Sequence, residues 1–134
     1  MIHYTLEDCA KERESLQMIK GIGLDLVELE RIERMMLRSN KLAERILTNR
    51  EQQIFETLPH VRQVEFLAGR FAAKEAYSKA NGTGIGKGCE LQQIEILKDE
   101  IGKPVLYFDG ELVHGFISIT HTKTTAAAQV ILMQ

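Results

Sequence analysis

Two acidic residues, Asp25 and Glu75, lie where the sequence pattern favours apolar side chains. Asp25 interrupts an apolar, glycine-bearing run, Met18–Val27, that is typical of a buried strand. Glu75 lies beside Phe71 and Ala76 on the wheel of a predicted helix. Two carboxylates that face one cavity repel each other unless a cation lies between them. Oxygen ligands suit Mg²⁺, which keeps several waters and completes its shell with substrate phosphates, so the pair indicates a magnesium site.

Lys79 follows Glu75 by one helical turn, at a spacing with a plainer explanation. A surface Glu–Lys pair at this spacing stabilises a helix by a few tenths of a kcal/mol. Such pairs are common, and spacing alone favours this interpretation. The surface pair and the metal site therefore both stay open at this point.

A glycine-rich loop follows the predicted long helix. Gly82–Gly88 has four glycines in seven positions, which would let backbone N–H groups approach an anion closely. The loop matches neither a Walker loop nor a dinucleotide fingerprint, because it ends a helix rather than opening one. A helix stop followed by turns explains the same residues equally well. Four flanking cations favour the phosphate interpretation, namely Arg70, Lys74, Lys79 and Lys87.

His121 follows a predicted strand within a polar connection, where a histidine is usually solvated. No second His or Cys lies at metal-ligand spacing, which disfavours zinc. No Gly-x-Ser-x-Gly motif occurs, and no sequence cue marks Cys89 as an activated nucleophile. Neither a zinc site nor a nucleophile triad is therefore indicated.

A basic face is predicted on the helix that starts near Glu28. The segment from Arg31 to Arg50 carries six basic and two acidic residues in a chain of net charge −2. Ordinary solvation explains most such faces, but an exposed methionine among arginines suggests an acidic partner helix with an apolar spot. The arginine face consists of Arg31, Arg34, Met35 and Arg38, and Arg45 follows in the same segment.

The composition is that of a folded single domain. The 134 residues are 44% hydrophobic and 27% charged, which excludes disorder as the main state. The net charge and the absence of Trp argue against a nucleic-acid binder. No run approaches the ~20 apolar residues of a membrane span, and residues 1–17 lack the apolar stretch of a secretory signal. Two cysteines give no disulfide framework, and we expect a cytoplasmic protein without membrane insertion.

The hydrophobic periodicity predicts an α+β architecture in which one strand and several helices precede antiparallel strands. Residues 5–17 predict a short helix. A helix from Glu28 to Arg38 and the long helix Val61–Ala80 have the clearest apolar spacing. The other predicted elements are helices at Leu42–Leu47 and Asn49–Leu58, the second capped by Asn49, and a meander of strands at Leu91–Leu97, Val105–Phe108, Val113–Ile119 and Ala126–Leu132.

Several of these residues fall, in order, in motifs that resemble one protein family. The chain is similar to the holo-[acyl-carrier-protein] synthases, the short bacterial type of 4′-phosphopantetheinyl transferase. The likeness runs from about Met18 to Leu132. Family members usually begin near the position of Met18, so residues 1–17 would be an N-terminal extension and residues 18–134 a single transferase domain. The motifs are Gly21-Ile22-Gly23-Leu24-Asp25-Leu26-Val27-Glu28, Glu65-Phe66-Leu67-Ala68-Gly69-Arg70-Phe71-Ala72-Ala73-Lys74-Glu75-Ala76, Gly82-Thr83-Gly84-Ile85-Gly86 and Ser118-Ile119-Thr120-His121-Thr122.

The resemblance implies a specific enzyme. It would move the 4′-phosphopantetheine arm of coenzyme A to a serine of apo acyl carrier protein, release adenosine 3′,5′-bisphosphate and support fatty acid biosynthesis. It would have the 4′-phosphopantetheinyl transferase-like fold, with an antiparallel sheet against a long helix. It would assemble as a homotrimer with active sites between subunits.

The resemblance also implies roles for individual residues. Asp25 and Glu75 would hold Mg²⁺ against the pyrophosphate of coenzyme A, and a water near Asp25 would take the proton of the carrier serine. Lys79 would stabilise or protonate the departing phosphate oxygen. The arginine face, with Arg45, would dock the small acidic carrier. Coenzyme A would contact Arg70, Lys74, Lys79, Gly82, Thr83, Gly84, Ile85, Gly86, His121 and Thr122, of which Lys79 and His121 would also be catalytic.

Two other functions stay open beside the transferase. A catalytically silent scaffold that holds an acidic partner would not need Asp25 or Glu75. Another Mg²⁺-dependent nucleotide-processing enzyme, such as a hydrolase, would gain nothing from the arginine face. The intact acidic motifs and the Phe66–Gly86 block favour the transferase over both.

Overall fold

The structure is a computed structural model that describes residues 3–16 and 18–134, with the backbone alone for residues 12–16. Met1, Ile2 and Gln17 of the expected N-terminal extension lie outside the described residues. Among the helices of the described ranges, none is both long enough and apolar enough to cross a membrane. The elements are α1 (Leu6–Leu16), β1 (Ile19–Glu28), α2 (Leu29–Arg38), α3 (Leu42–Ile46), α4 (Asn49–Glu56), α5 (His60–Asn81), a 3₁₀ turn (Leu91–Gln93), β2 (Ile94–Lys98), β3 (Pro104–Phe108), β4 (Glu111–Leu112), β5 (Gly115–His121) and β6 (Thr125–Met133).

The main sheet joins the start of the domain to its end. Its strand order is β1-β6-β5, and both pairings are antiparallel. Asp25 of β1 lies opposite Ala128 of β6, which lies opposite Ile119 of β5. Alternate residues of β6 are buried, among them Ala126, Ala128 and Val130, because one face of the sheet packs against α5. The expected antiparallel sheet against a long helix is confirmed.

A second, smaller sheet has the order β2-β3-β4. Asp109 and Gly110, with φ of 50° and 81°, form the tight turn of its β3–β4 hairpin. The meander expected from sequence is therefore divided between two sheets. At the start of β5, a Cβ on Gly115 would lie 2.3 Å from the Ile131 carbonyl oxygen, so only glycine lets β5 start this close to β6.

Helix α5 is buried along most of its length between the main sheet and helices α2, α3 and α4. Its small residues leave room for very close contact with β1. A Cβ on Gly21 would lie 2.0 Å from the carbonyl oxygen of Ala80, and one on Gly23 would lie 1.8 Å from that of Ala76. These two glycines therefore fix how near β1 approaches the C-terminal half of α5.

Strand β1 is buried on one face only, which corrects the prediction of a fully buried strand. Its inward positions are occupied by Gly21, Gly23, Asp25 and Val27, whereas its outward apolar residues are exposed. Ile22 is 56% exposed, Leu24 56% and Leu26 67%. An apolar row of this kind on a sheet face is typical of an interaction surface.

The cap of α4 also differs from the prediction. Thr48, not Asn49, is the N-cap, because its hydroxyl accepts from the Glu51 backbone N–H while the Glu51 carboxylate accepts from the Thr48 N–H. This capping box uses a glutamate that is completely buried. The cap thus carries a negative charge into the core, where it needs a partner.

Candidate active site

The close contact of β1 with α5 brings Asp25, Glu75 and Lys79 together. Asp25 is on the inward face of β1, and Glu75 and Lys79 lie one turn apart on α5. The Lys79 ammonium donates to Asp25 Oδ1 at 2.9 Å and to the Leu24 carbonyl oxygen at 3.0 Å. Lys79 therefore pairs with the acid on the strand, and the simple Glu75–Lys79 surface pair is not what forms.

Burial and a neighbouring carboxylate make the negative charge of Glu75 unfavourable, and a cation would stabilise it. Burial raises the pKa of Glu75 above its ordinary value, the negative charge of Asp25 raises it further, and Lys79 opposes both effects. The two carboxylates therefore lie close enough to repel each other. A divalent cation between them would remove the repulsion and lower the pKa of Glu75.

The donor set suits Mg²⁺. Both acids offer hard carboxylate oxygens, and the ammonium of Lys79 already occupies Asp25 as a stand-in for a cation. Within residues 3–16 and 18–134, no three His, Cys, Asp or Glu side chains converge on one point. Two protein carboxylates would leave most of an octahedral shell to water and substrate phosphates, which is how Mg²⁺ is usually held.

The structure corrects the prediction that Lys74 contacts coenzyme A, because Lys74 lies in the core. It is completely buried, and its ammonium donates to Glu51 Oε1 at 2.6 Å, to the Ile46 carbonyl at 2.6 Å and to the Leu91 carbonyl at 3.0 Å. Burial lowers the pKa of Lys74, and Glu51 opposes that effect. With three oxygens on its three protons, Lys74 has no donor left for coenzyme A.

Arg70 lies next to the same buried glutamate. Its Nε donates to the Ile96 carbonyl at 3.2 Å and lies 3.9 Å from Glu51 Oε2, and the guanidinium covers the Phe66 ring at 4.3 Å. Burial lowers the pKa of Arg70, opposed by Glu51. Its Nη2 is buried with no hydrogen-bond partner among the described residues, so Arg70 keeps unsatisfied donors that an anion at this place would satisfy.

The glycine-rich loop forms turns in which four of its seven backbone N–H groups, those of Gly82, Thr83, Gly84 and Gly86, are already in hydrogen bonds. The N–H groups of Gly82, Thr83 and Gly84 all donate to the Ser78 carbonyl, and Gly86 exchanges two backbone bonds with Cys89. Gly82, with φ of 83°, ends α5 in the left-handed conformation. The helix-stop interpretation is therefore correct, and these amides do not form the expected anion cradle.

His121 lies in a second cluster, away from Asp25. Its Nδ1 is 3.0 Å from Glu65 Oε2, near the N-terminal end of α5. Glu65 and Glu75 are ten residues apart, which separates the two clusters by about 15 Å along the helix. Beside His121, a groove of about 400 Å³ is lined by Thr122 and Glu65 among others. One chain therefore does not bring all predicted site residues together.

The arginine face is exposed as predicted. Arg31, Arg34 and Arg38 all point away from the core, whereas Leu29 and Ile32 of the same helix are buried. Among the ion pairs of the described ranges, none involves these arginines. Arg45 is exposed on α3.

Three residues of interest were missed from sequence. Glu65 begins the second family motif. Its neighbours in the sequence do not indicate its contact with His121, which is far away along the chain. Glu51 has the spacing of a capping box, but not the signature of a buried ion. Leu37 is 75% exposed on the same helix, but it lies two residues from Met35 and therefore on a different side of α2.

Fold and site together define an α+β protein with a carboxylate pair suited to an oxygen-ligated cation. The family model of the 4′-phosphopantetheinyl transferase superfamily matches residues 21–131, and the chain belongs to this family. The holo-[acyl-carrier-protein] synthase of Geobacillus kaustophilus (strain HTA426) is 58% identical over 117 residues, which cover 86% of this chain and 89% of that protein.

Solved structures agree with this membership. A holo-(acyl-carrier-protein) synthase from Bacillus anthracis, crystallised in complex with CoA (3′,5′-ADP), has a TM-score of 0.78 and 49% identity, covering 87% of this chain and 98% of that one. The holo-[acyl-carrier-protein] synthase from Helicobacter pylori in complex with coenzyme A has a TM-score of 0.72 and 31% identity, covering 83% and 98%. The expected fold is therefore confirmed.

Proposed function

We propose that this chain transfers the 4′-phosphopantetheine group of coenzyme A to a serine of apo acyl carrier protein and releases adenosine 3′,5′-bisphosphate. The observation that carries the proposal is the convergence of Asp25, Glu75 and Lys79 in a member of the 4′-phosphopantetheinyl transferase superfamily. Names of similar proteins support the substrates, since they are holo-[acyl-carrier-protein] synthases, some in complex with coenzyme A. The reaction would serve fatty acid biosynthesis in the cytoplasm.

Asp25 and Glu75 would hold Mg²⁺, with the pyrophosphate of coenzyme A completing its shell. Bound there, the ion would supply charge neutralisation for phosphoryl transfer. Asp25, through a water, would accept the proton of the carrier serine. Lys79 would contact the departing phosphate oxygen, with the strength of a charge-assisted hydrogen bond.

The His121 cluster would bind the nucleotide end of coenzyme A. Thr122 lines the groove beside His121. Because about 15 Å of α5 separates Glu65, the partner of His121, from Glu75, we propose that His121 and Thr122 serve the carboxylate pair of a neighbouring subunit. Arg70 would also contact coenzyme A, because its Nη2 has no hydrogen-bond partner among the described residues. The N–H groups of Gly82, Thr83, Gly84 and Gly86 are already in backbone hydrogen bonds, so the loop Gly82–Gly86 would contribute chiefly its shape to the site.

A homotrimer would supply that neighbouring subunit. The exposed row Ile22, Leu24 and Leu26 on β1 is the surface that we assign to subunit contact, together with Phe116 of β5, which is 58% exposed. Burying these side chains between copies would contribute less than the roughly 1.5–3 kcal/mol of a fully exposed side chain each, because each is already partly buried. The domain that trimerises would be residues 18–134, with residues 1–17 as an extension.

The arginine face would dock the acidic carrier protein. Arg31, Arg34 and Arg38 are exposed and form no ion pair within the described chain, so their charges are available to a partner. Met35 would contact an apolar spot between the partner's acidic groups. Long-range attraction would speed encounter at low salt.

The test is a mass measurement on the carrier. Incubation of the chain with apo acyl carrier protein, coenzyme A and Mg²⁺ should add a phosphopantetheine group, about 340 Da, to the carrier. Glu75→Gln should add none, and the same mixture with EDTA should also add none. A bound but unmodified carrier would instead favour the silent scaffold, and hydrolysis of coenzyme A without carrier modification would favour another nucleotide-processing enzyme.

A further inference from the structure

The ammonium of Lys79 already binds the carboxylate that would hold the metal. Its Nζ lies 2.9 Å from Asp25 Oδ1 and 3.0 Å from the Leu24 carbonyl oxygen. The positive charge of Lys79 also acts on Glu75, where it opposes the effects of burial and of Asp25. One ammonium thus balances both acids in the metal-free protein.

A divalent cation and this ammonium compete for the same place. Mg²⁺ binds a carboxylate oxygen at about 2.0–2.1 Å, so an ammonium still on Asp25 would lie within a few ångström of the ion. Like charges at that distance repel strongly, because little water separates them. Binding of the cation should therefore break the Lys79–Asp25 contact or be weakened by it.

The two partners differ in their freedom to move. The Lys79 side chain is 51% exposed and sits on a flexible four-carbon stem, whereas that of Asp25 is only 17% exposed and belongs to a paired strand. Lys79 can therefore swing away while Asp25 stays in place.

We propose that Lys79 is an internal counter-ion, bound to Asp25 in the metal-free protein and displaced from it when a divalent cation binds. This inference rests on the proposed metal site. The displaced ammonium is then free to contact the phosphates of coenzyme A. Lys79 thus becomes a phosphate ligand only once the metal is present, which couples binding of the cation to readiness of the site for the nucleotide.

Metal affinity tests the proposal directly. Mn²⁺ serves as the probe, and the loss of its free electron paramagnetic resonance signal gives a dissociation constant for the full chain. Lys79→Met should bind Mn²⁺ about tenfold more tightly than the natural chain. Lys98→Met, which removes the same charge from an exposed position at the end of β2, should change the constant less than about twofold.

The outcomes separate this inference from the proposed function. Equal affinity in the natural chain and Lys79→Met overturns the counter-ion role and leaves the metal site standing. No binding of Mn²⁺ by any of the three proteins overturns the metal site, and the inference with it.

A second measurement follows the Lys79 ammonium in the natural chain. With ¹⁵N-labelled lysine, the ammonium resonance of Lys79 is assigned by its absence in Lys79→Met. Saturating Mg²⁺ should shift or broaden that resonance while leaving that of Lys98 unchanged. A Lys79 resonance that stays the same when the metal is bound overturns displacement, whatever the affinities are.

Discussion

The negative charge that Glu75 would need to bind a metal destabilises the metal-free protein. Because burial and Asp25 raise its pKa, the folded metal-free protein holds a proton there more tightly than the unfolded chain does. Ionising Glu75 therefore costs stability, and the cost appears as the pH rises from the ordinary glutamate pKa through the raised one. Below about pH 4, where both states are protonated, the cost is absent.

Glu75→Gln should accordingly remove transfer without harming the fold. We expect the metal-free variant to be at least as stable as the natural chain at pH 8, with the difference vanishing near pH 4, in urea titrations without metal. Transfer to the carrier should fall by at least roughly a thousandfold, because one anionic ligand of the proposed metal site is lost. A variant that stays fully active would remove Glu75 from the metal site.

Lys74, the neighbour of Glu75, should behave in the opposite way. Lys74→Met leaves Glu51 charged and buried with one partner fewer, which should cost about 3–5 kcal/mol of unfolding free energy. Lys79→Met is the matched control, since its half-exposed pair should contribute less than about 1 kcal/mol. Equal stability changes in the two variants, measured by denaturant titration, would contradict the structural role of Lys74.

Lys74 and Glu75 also show what the sequence could and could not predict about the site. Both carboxylates were identifiable because an acid at an apolar position is unusual on any strand or helix. The role of Lys74 could not be identified from the sequence. That role depends on Glu51, and the two side chains come into contact only when α4 packs on α5. Local spacing carries no information on contacts of that kind.

At the scale of elements, Gly23 sets the distance between the strand and the helix that carry the site. Gly23→Ala would place a methyl group 1.8 Å from the Ala76 carbonyl oxygen, so β1 must move away from α5. We expect the free energy of unfolding to fall by about 3 kcal/mol. Because Asp25 moves with β1, we expect the free energy of metal binding to weaken by more than this amount.

Gly86→Ala is the stability control for that change. A Cβ at Gly86 meets nothing within 4 Å, and its backbone does not need a left-handed conformation. Its unfolding free energy should change by less than about 0.5 kcal/mol. If Gly23→Ala is as stable as Gly86→Ala, the close contact is not what holds the two elements together.

Helix α2 carries the prediction about the carrier protein. Arg31→Glu with Arg38→Glu should raise the KM for apo carrier by at least roughly tenfold, while the affinity for coenzyme A stays unchanged. The KM of the natural chain for apo carrier should rise toward that of the double variant as salt increases, because exposed charges are screened. Lys11→Glu with Lys98→Glu changes the net charge equally at exposed positions elsewhere and should leave KM nearly unchanged. Equal effects of both double variants would argue against a docking face.

The elements themselves were largely predictable, and their pairing was not. Helix α5 was expected at Val61–Ala80 and spans His60–Asn81, because its apolar spacing and Gly82 mark it clearly. The division into two sheets depends on β6 pairing with β5 and with β1, which lies about a hundred residues earlier in the chain. Strand periodicity gives the face of a residue but not the identity of its neighbour.

At the scale of the whole molecule, the position of the apolar residues on the main sheet supports the proposed trimer. The inward face of β1 is taken up by α5, whereas Ile22, Leu24 and Leu26 stay more than half exposed within the described chain. The His121 cluster lies toward the N-terminal end of α5 and the carboxylate pair toward its C-terminal end. In the proposed trimer, a second copy covers the outward face and contributes its His121 cluster to the first copy's carboxylates.

Leu24→Lys with Leu26→Lys should therefore dissociate the proposed trimer. Charged side chains in the middle of an apolar contact are costly to bury, whereas both positions are exposed in the single chain, so the monomer should keep its fold. Light scattering coupled to size exclusion should give a mass near three chains for the natural protein and one chain for the variant, with unchanged circular dichroism. Transfer should be lost with the trimer. A variant that is monomeric and fully active would show that each chain completes its own site, and would remove the need for His121 of a neighbour.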